Sequence, residues 1–186
     1  FKKYNIKAQY GFLELNKKNF DKKIKQYLND KNVGGLNITI PFKQKIIKHI
    51  DKLDSHSLTI NAVNCVTLKS KKIGTNTDWR GYYKTLPKTK KLKQKNVVLI
   101  GYGGAALAIH YVLKVKGFKN IKILNRTKKK LMFQNKKEHT ISMSFIQNYI
   151  ADADLIINTT PRNPISKKNK NLIRKETILS DIVYKP

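Results

Sequence analysis

Apolar positions along the chain recur at two spacings, every second residue and every third or fourth, and each change of spacing marks the edge of an element. In GGLNITIPFKQKI, residues 34–46, Leu36, Ile38 and Ile40 alternate with Asn37 and Thr39, which predicts a strand entered through a tight turn. Pro41 stops the alternation. Proline at a first helical position forfeits no hydrogen bond, so a helix carrying Phe42, Ile46, Ile47 and Ile50 on its apolar face is predicted to start there. Upstream, AQYGFLEL (8–15) suits a strand, and NFDKKIKQYLND places Phe20, Ile24, Tyr27 and Leu28 on one helical face. Downstream, AVNCVTLKSKKIGTNTD reads as two short strands around a polar turn. It ends at Asp78, which can also cap the short helix expected from Trp79 to Leu86.

Past residue 95 the pattern restarts. VVLI (97–100) is a buried strand, Gly103 to Lys116 a helix, and NIKIL (120–124), DLIIN (154–158) and ILSDIVY (178–184) are further strands. Strands separated by helical segments imply a parallel sheet. The fold class is therefore α/β: an N-terminal α/β domain with a mixed sheet, residues 1–84, and a Rossmann-type domain, residues 85–186, with a cleft between them. Lys43 sits at a strand-to-helix corner of the first domain, the kind of place where open α/β sheets bind ligands.

Composition changes this picture little. Lys and Arg number 40 against 11 Asp and Glu, a net charge of +29, and such a balance raises nucleic acid as a partner. The lysines, however, are spread over the whole length among asparagines and isoleucines, as in an AT-biased genome. The one dense run, KTKKLKQK (88–95), reads as a solvated linker. Nucleic-acid readers interleave aromatics with clustered basic residues, whereas Phe20, Tyr27, Phe42, Phe118 and Phe145 fall at apolar periodic positions. Cys65 is the sole cysteine, read as a small core residue; it excludes an internal disulfide and fits a reducing compartment. His49, His56, His110 and His139 lack ligand spacing and are read as surface or helix residues, so no metal is expected. Without an 18-residue apolar stretch or a signal-peptide pattern, the chain is read as a soluble cytoplasmic protein that engages no membrane. It starts at Phe1 and stops at Pro186 after an apolar run, and both ends look cut.

Chemistry enters with VVLIGYGGAALAIHYVL. After a buried strand come Gly101, Gly103, Gly104, Ala105 and Ala106, then a helix, which is the GxGxxG/A arrangement in its required context. The glycines let the backbone approach a pyrophosphate, and the helix N-terminus supplies amides and partial positive charge. A NAD site places a carboxylate at the end of the next strand, where this chain has Asn125, Arg126 and Thr127. A guanidinium there binds a 2′-phosphate that a carboxylate repels, so NADP is favoured over NAD.

NITIPFK (37–43), AVN (62–64), NTD (76–78) and the pair formed by GYGGAA and NRT follow one another in the order found in shikimate dehydrogenases, and the chain resembles that family. The likeness continues through DLIINTTP (154–161) and DIVY (181–184), covering essentially the whole chain. The resemblance implies reversible NADPH-dependent reduction of 3-dehydroshikimate to shikimate, a small-molecule reaction on the route to aromatic amino acids, by a monomer or homodimer. It implies Lys43 as the catalytic lysine with Asp78 as its partner, and Thr39, Asn64 and Tyr184 as substrate-binding residues. Thr160 and Val183 join the glycine loop, Asn125, Arg126 and Thr127 around the cofactor. The residue types suit this chemistry, because hydride arriving at a ketone carbon leaves charge on oxygen that an ammonium can stabilise and protonate.

Departures from the family pattern are also legible. Relative to it the chain lacks the opening strand with its serine loop and the closing helices with their glutamine. Trp79 stands where glycine usually follows NTD, Tyr102 replaces a small residue in the glycine loop, and Arg162, Asn163 and Pro164 replace a glycine-containing turn. A quinate/shikimate dehydrogenase using NAD(P) is the close alternative, with an acidic residue expected where Arg126 stands. Glutamyl-tRNA reductases share a GxGG loop followed by Asn-Arg but lack the NITIPFK and NTD pieces. A non-catalytic fragment or a basic nucleic-acid-binding protein is the alternative from another class.

Overall fold

The structure is a computed structural model and describes residues 1–86, 94–133 and 138–182. Chain order runs α1 (Phe20–Leu28), β1 (Gly35–Asn37), a 3-10 helix (Lys45–His49), β2 (Lys52–Leu53), α2 (Ser55–Ile60), β3 (Cys65–Leu68), β4 (Lys72–Thr75) and α3 (Asp78–Thr85). After the lysine-rich stretch come β5 (Asn96–Ile100), α4 (Gly104–Val115), β6 (Asn120–Asn125), β7 (Ile141–Ser142), α5 (Gln147–Ile150), β8 (Leu155–Asn158), α6 (Lys167–Lys170) and β9 (Ile178–Asp181). Most of KTKKLKQK lies outside the described residues, as do Val183 and Tyr184.

The first sheet has the order β1-β3-β4-β2 and is mixed: β3 pairs antiparallel with β1 and β4, and β2 pairs parallel with β4. Its core forms where α1 lays Phe20, Ile24 and Leu28 against Ile38, Phe42, Ile46, Val63 and Val66. Phe20 and Phe42 stack at 4.2 Å. Burying side chains of this size contributes roughly 1.5–3 kcal/mol each, which is what holds a nine-residue helix that would be marginal alone.

The second sheet, β7-β6-β5-β8-β9, is wholly parallel. Val97 and Leu99 face one side and pack with α4, while Val98 and Ile100 face the other and pack with Ile146, Ile150 and Ala153. Both faces are covered, hence the unbroken apolar run in VVLI. Neighbours β6 and β8 lie on opposite sides of β5, so the crevice at the carboxyl ends of β5 and β8 is the place where such sheets take ligands. Ile60, Ala62 and Leu86 join the α4 core, so apolar packing runs unbroken from the first sheet's helices into the second unit.

Several expected elements differ. The strand over 8–15 does not form: no described strand offers it a ladder, and Tyr10 and Phe12 stand exposed, with Tyr10 Oη accepting from Asn37 Nδ2 at 3.0 Å. The strand over 34–40 is cut to Gly35–Asn37, although Ile38 N–H still bonds Asn64 O. Pro41 starts no helix. It follows a cis peptide bond in a turn closed by Phe42 N–H on Thr39 O, and the Lys43 carbonyl turns away to accept from Val63 N–H at 2.7 Å. Ile47 N–H bonds the Gln44 carbonyl instead, and the helix that results is the tighter 3-10 form. Cys65 is half-buried rather than in the core, and Phe145 is exposed. Unforeseen α2 begins at Asp54, whose carboxylate accepts from Ser57 N–H at 2.7 Å, and ends at left-handed Asn61.

His110 is fully buried on α4, and burial, with the charge of Lys114 adding to it, pushes its imidazole down to about 4. The unfolded chain takes up a proton on this residue near pH 6.5 that the folded chain refuses. Stability is therefore lost as pH falls from 6.5 towards 4, by up to roughly 3 kcal/mol. Urea unfolding at pH 7 and pH 4.5 checks this. His110→Phe should flatten the difference between the two, and an undiminished difference would refute the assignment.

Candidate active site

Asp78 opens α3, and two asparagines, Asn76 and Asn64, bond it. Asn76, buried, donates from Nδ2 to the Ala62 carbonyl at 2.9 Å, and its Oδ1 accepts from Asp78 N–H at 3.0 Å. Asn76 thus caps α3 in side-chain terms, correcting the expectation that Asp78 would do so; the N-cap position itself is Thr77. Relieved of capping, the Asp78 carboxylate is free to turn outward, in a first helical turn where the aligned peptide dipoles favour negative charge.

That carboxylate is shared. Oδ2 lies 2.8 Å from Lys43 Nζ, and Oδ1 accepts from Asn64 Nδ2 at 2.8 Å. Asn64 also donates to Thr77 Oγ1 at 2.9 Å and accepts Thr77 N–H at 2.8 Å, so both of its amide protons are engaged. The Lys43 side chain is 13% exposed and the Asp78 side chain 32%. An ion pair at this depth is only partly screened, and its ammonium keeps protons free for a ligand.

Lys43 reaches this position along the glycine loop. A β-carbon on Gly104 would stand 2.8 Å from Lys43 Cβ, so only glycine lets the lysine stem pass the first turn of α4. Gly101 adopts φ +95°, and an added β-carbon would press into the Thr159 hydroxyl and lie 3.0 Å from Thr160 Cγ2. Gly103 has open space where its side chain would be. An open approach to backbone amides at the start of a twelve-residue helix fits a pyrophosphate.

These residues line a cavity of about 650 Å³. Of the cofactor candidates, Gly101, Gly103, Gly104, Ala105, Asn125, Arg126, Thr127 and Thr160 all border it, together with Lys43. Asn125 Nδ2 donates to the Thr127 carbonyl at 2.8 Å, and Thr160 Oγ1 donates to Asn158 Oδ1 at 2.7 Å, which set the two loops flanking the glycines. Thr39 is exposed in the turn before Pro41 and does not border the cavity. Gln44, Lys129 and Thr159 border it without having been singled out. Lys129 lies two residues past NRT, and Thr159 precedes Thr160, so adjacency to the named motifs was the signal for both.

Behind the cavity, α3 and α4 meet through aromatic side chains. Trp79 lies over His56 at 4.1 Å and meets Tyr111 edge-on at 5.9 Å, while His56 Nδ1 and Tyr111 Oη are 2.9 Å apart. Lys116 Nζ sits 3.8 Å above the Tyr83 ring. Among the described residues there is no His, Cys, Asp and Glu cluster able to hold a metal, and no helix long and apolar enough to cross a membrane.

Comparison with known proteins agrees in both halves. Residues 1–66 match the family model for the shikimate dehydrogenase substrate binding domain, and residues 84–182 match that for shikimate / quinate 5-dehydrogenase. A relative named shikimate dehydrogenase (NADP(+)) from Oceanobacillus iheyensis is 34% identical over 100% of this chain and 71% of its own length. One of the same name from Staphylococcus aureus is 35% identical, over 88% of this chain and 63% of its own length. The crystal structure of shikimate dehydrogenase from Thermotoga maritima superposes with a TM-score of 0.83 at 29% identity, covering 100% of this chain and 72% of that one.

Gly101 offers a direct check on the loop. Gly101→Ala should destabilise the protein by about 2 kcal/mol or more, since φ and the two threonines both oppose a β-carbon. A denaturant midpoint equal to that of the parent would refute the described loop conformation.

Proposed function

We propose that this chain, which belongs to the shikimate dehydrogenase family, carries the catalytic and nucleotide-binding core of an NADP-dependent enzyme that interconverts 3-dehydroshikimate and shikimate. The observation that carries this reading is the Lys43–Asp78 pair, 2.8 Å apart, with the stem of Lys43 laid against Gly104 of the glycine loop. Residues 1–84 would form the substrate unit and residues 85–186 the dinucleotide unit, a small-molecule site rather than a nucleic-acid surface. The protein would act in the cytoplasm as a monomer or homodimer.

NADPH, when bound, supplies the hydride. Charge then develops on the ketone oxygen, and Lys43 Nζ stabilises it and hands over a proton; in the opposite direction the lysine accepts that proton from the hydroxyl. Asp78 orients the ammonium through Oδ2 and offers Oδ1, now held by Asn64, to a neighbouring substrate hydroxyl. Asn64 can bind substrate by releasing Thr77, and Thr39 and Tyr184 complete the substrate contacts in this reading. The amides of Gly103, Gly104 and Ala105 would face the pyrophosphate, where Gly103 leaves open space. Asn125, Arg126 and Thr127 would take the adenosine 2′-phosphate, and Thr160 and Val183 the nicotinamide side. Against a NAD-linked quinate reading stands the guanidinium of Arg126 at the end of β6, where a carboxylate would be expected.

Two substitutions in the full-length protein test the assignment. Lys43→Ala should cut kcat for shikimate oxidation by roughly two to four orders of magnitude while leaving NADPH affinity nearly unchanged. A variant of near-parental rate would remove Lys43 from the chemistry. Arg126→Asp should weaken NADPH by about tenfold or more and NADH far less, read from equilibrium titration; equal losses would refute a 2′-phosphate contact. Parallel assays with quinate separate the two substrate readings.

A further inference from the structure

β8 ends at Asn158, and the chain leaves it through Thr159, Thr160, Pro161, Arg162, Asn163 and Pro164, a turn that departs from the family's glycine-containing one. Asn158 is buried and fixes that turn. Its Oδ1 accepts from Thr160 N–H at 2.9 Å, and its Nδ2 lies 3.2 Å from the Thr160 carbonyl, 3.3 Å from the Arg162 carbonyl and 3.1 Å from Asp181 Oδ2. The Arg162 carbonyl also lies 2.8 Å from Thr160 Oγ1. Prolines on both sides restrict the backbone further, Pro161 directly and Pro164 through Asn163. The backbone of Arg162 is thus held, and the residue stands exposed.

Thr159 seats this turn on the glycine loop. Its N–H and its hydroxyl both bond the Ile100 carbonyl, at 2.9 Å and 2.7 Å, and Thr159 and Thr160 are the residues that a β-carbon on Gly101 would meet. Four cations border the cavity among the described residues: Lys43, Arg126, Lys129 and Arg162. Lys43 is paired with Asp78, while Arg126 and Lys129 follow β6, with Lys129 Nζ donating to the Tyr102 carbonyl at 3.0 Å. Arg162 follows β8, on the opposite side of β5, and among the described residues its guanidinium pairs with no carboxylate. The glycine loop, which follows β5, lies between the two cationic sides.

We propose that Arg162 is a cofactor-binding residue that takes the diphosphate of the dinucleotide from the β8 side, while the glycine-loop amides hold it from the α4 side. This rests on the placement of NADP in the cleft proposed above. A planar guanidinium meets two phosphate oxygens at once, and a stiff turn seated on the glycine loop keeps its backbone in place for that contact. A substrate carboxylate fits this position less well. Lys43 borders the cavity, but Thr39, Asn64 and Asp78, the other described residues assigned to substrate chemistry, do not.

Titration calorimetry of NADPH into the full-length parent and Arg162→Gln tests it, with adenosine 2′-monophosphate, which lacks the diphosphate, as a competing second ligand. The variant should bind NADPH about tenfold more weakly and adenosine 2′-monophosphate within about twofold of the parent. Arg162→Lys, which keeps the charge and loses the fork, should recover part of the loss. An unchanged NADPH affinity in Arg162→Gln overturns the proposal, and a raised KM for shikimate alongside it would assign the guanidinium to the substrate instead. Equal losses for the two ligands also overturn it, since they would place the guanidinium at the 2′-phosphate. A lysine variant no better than glutamine, with the thermal midpoint lowered in both, would mark a structural role and overturn it as well. A parent that binds no NADPH overturns the reading of the cleft and this one together; a parent that binds it, with a glutamine variant of equal affinity, overturns this one alone.

Discussion

The stem of Lys43 occupies the space that a side chain on Gly104 would fill, and the cleft is built outward from that contact. The lysine carbonyl is taken by Val63, the next residue is Asn64, and Asn64 grips Thr77 and Asp78, whose carboxylate returns to the lysine ammonium. A closed circuit results, running through the turn after β1, the entry to β3 and the start of α3. Because Gly104 begins α4, the same circuit is seated on the helix whose N-terminus faces the cavity. Ile60 and Ala62, buried in the α4 core, anchor its other side. Moving any one member displaces the rest, which is how a partly buried ion pair keeps a fixed geometry.

The second half was legible because its signals are local. VVLI, the glycine loop and NIKIL each carry their own periodicity, and a strand buried on both faces leaves an unmistakable apolar run. The Lys43 corner was legible as a place and misread as a conformation: NITIPFK names the turn, but the hydrogen bond from Val63 that turns the Lys43 carbonyl away from a helix comes from twenty residues on, beyond the reach of any window. AQYGFLEL shows the converse failure. Its pattern fits a strand, yet a strand exists only where a partner offers a ladder. Asn76 and Lys129 were missed for a third reason, since a buried capping amide and a cleft lysine in a chain with 40 cations look like ordinary polar residues until their partners are known.

Carboxylates are scarce in this chain, and the structure distributes them unequally. Asp21 serves Lys45, Lys48 and His49 at once, and those partners hold its carboxyl well below the usual range. Asp154 accepts from Lys95, Arg174 and the Asn96 N–H, stitching the start of β5 to the start of β8. Asp78, by contrast, pairs with a single cation among the described residues. The cleft is thereby left with a cationic lining that suits an anionic nucleotide, an arrangement of local pairing and not of net charge.

Trp79 is the chain's sole indole, and it lies between the helix that opens with Asp78 and the helix that opens with Gly104. It meets His56 of α2 on one side and Tyr111 of α4 on the other. The sole indole therefore sits where α2, α3 and α4 meet, and its surroundings follow the packing of those three helices.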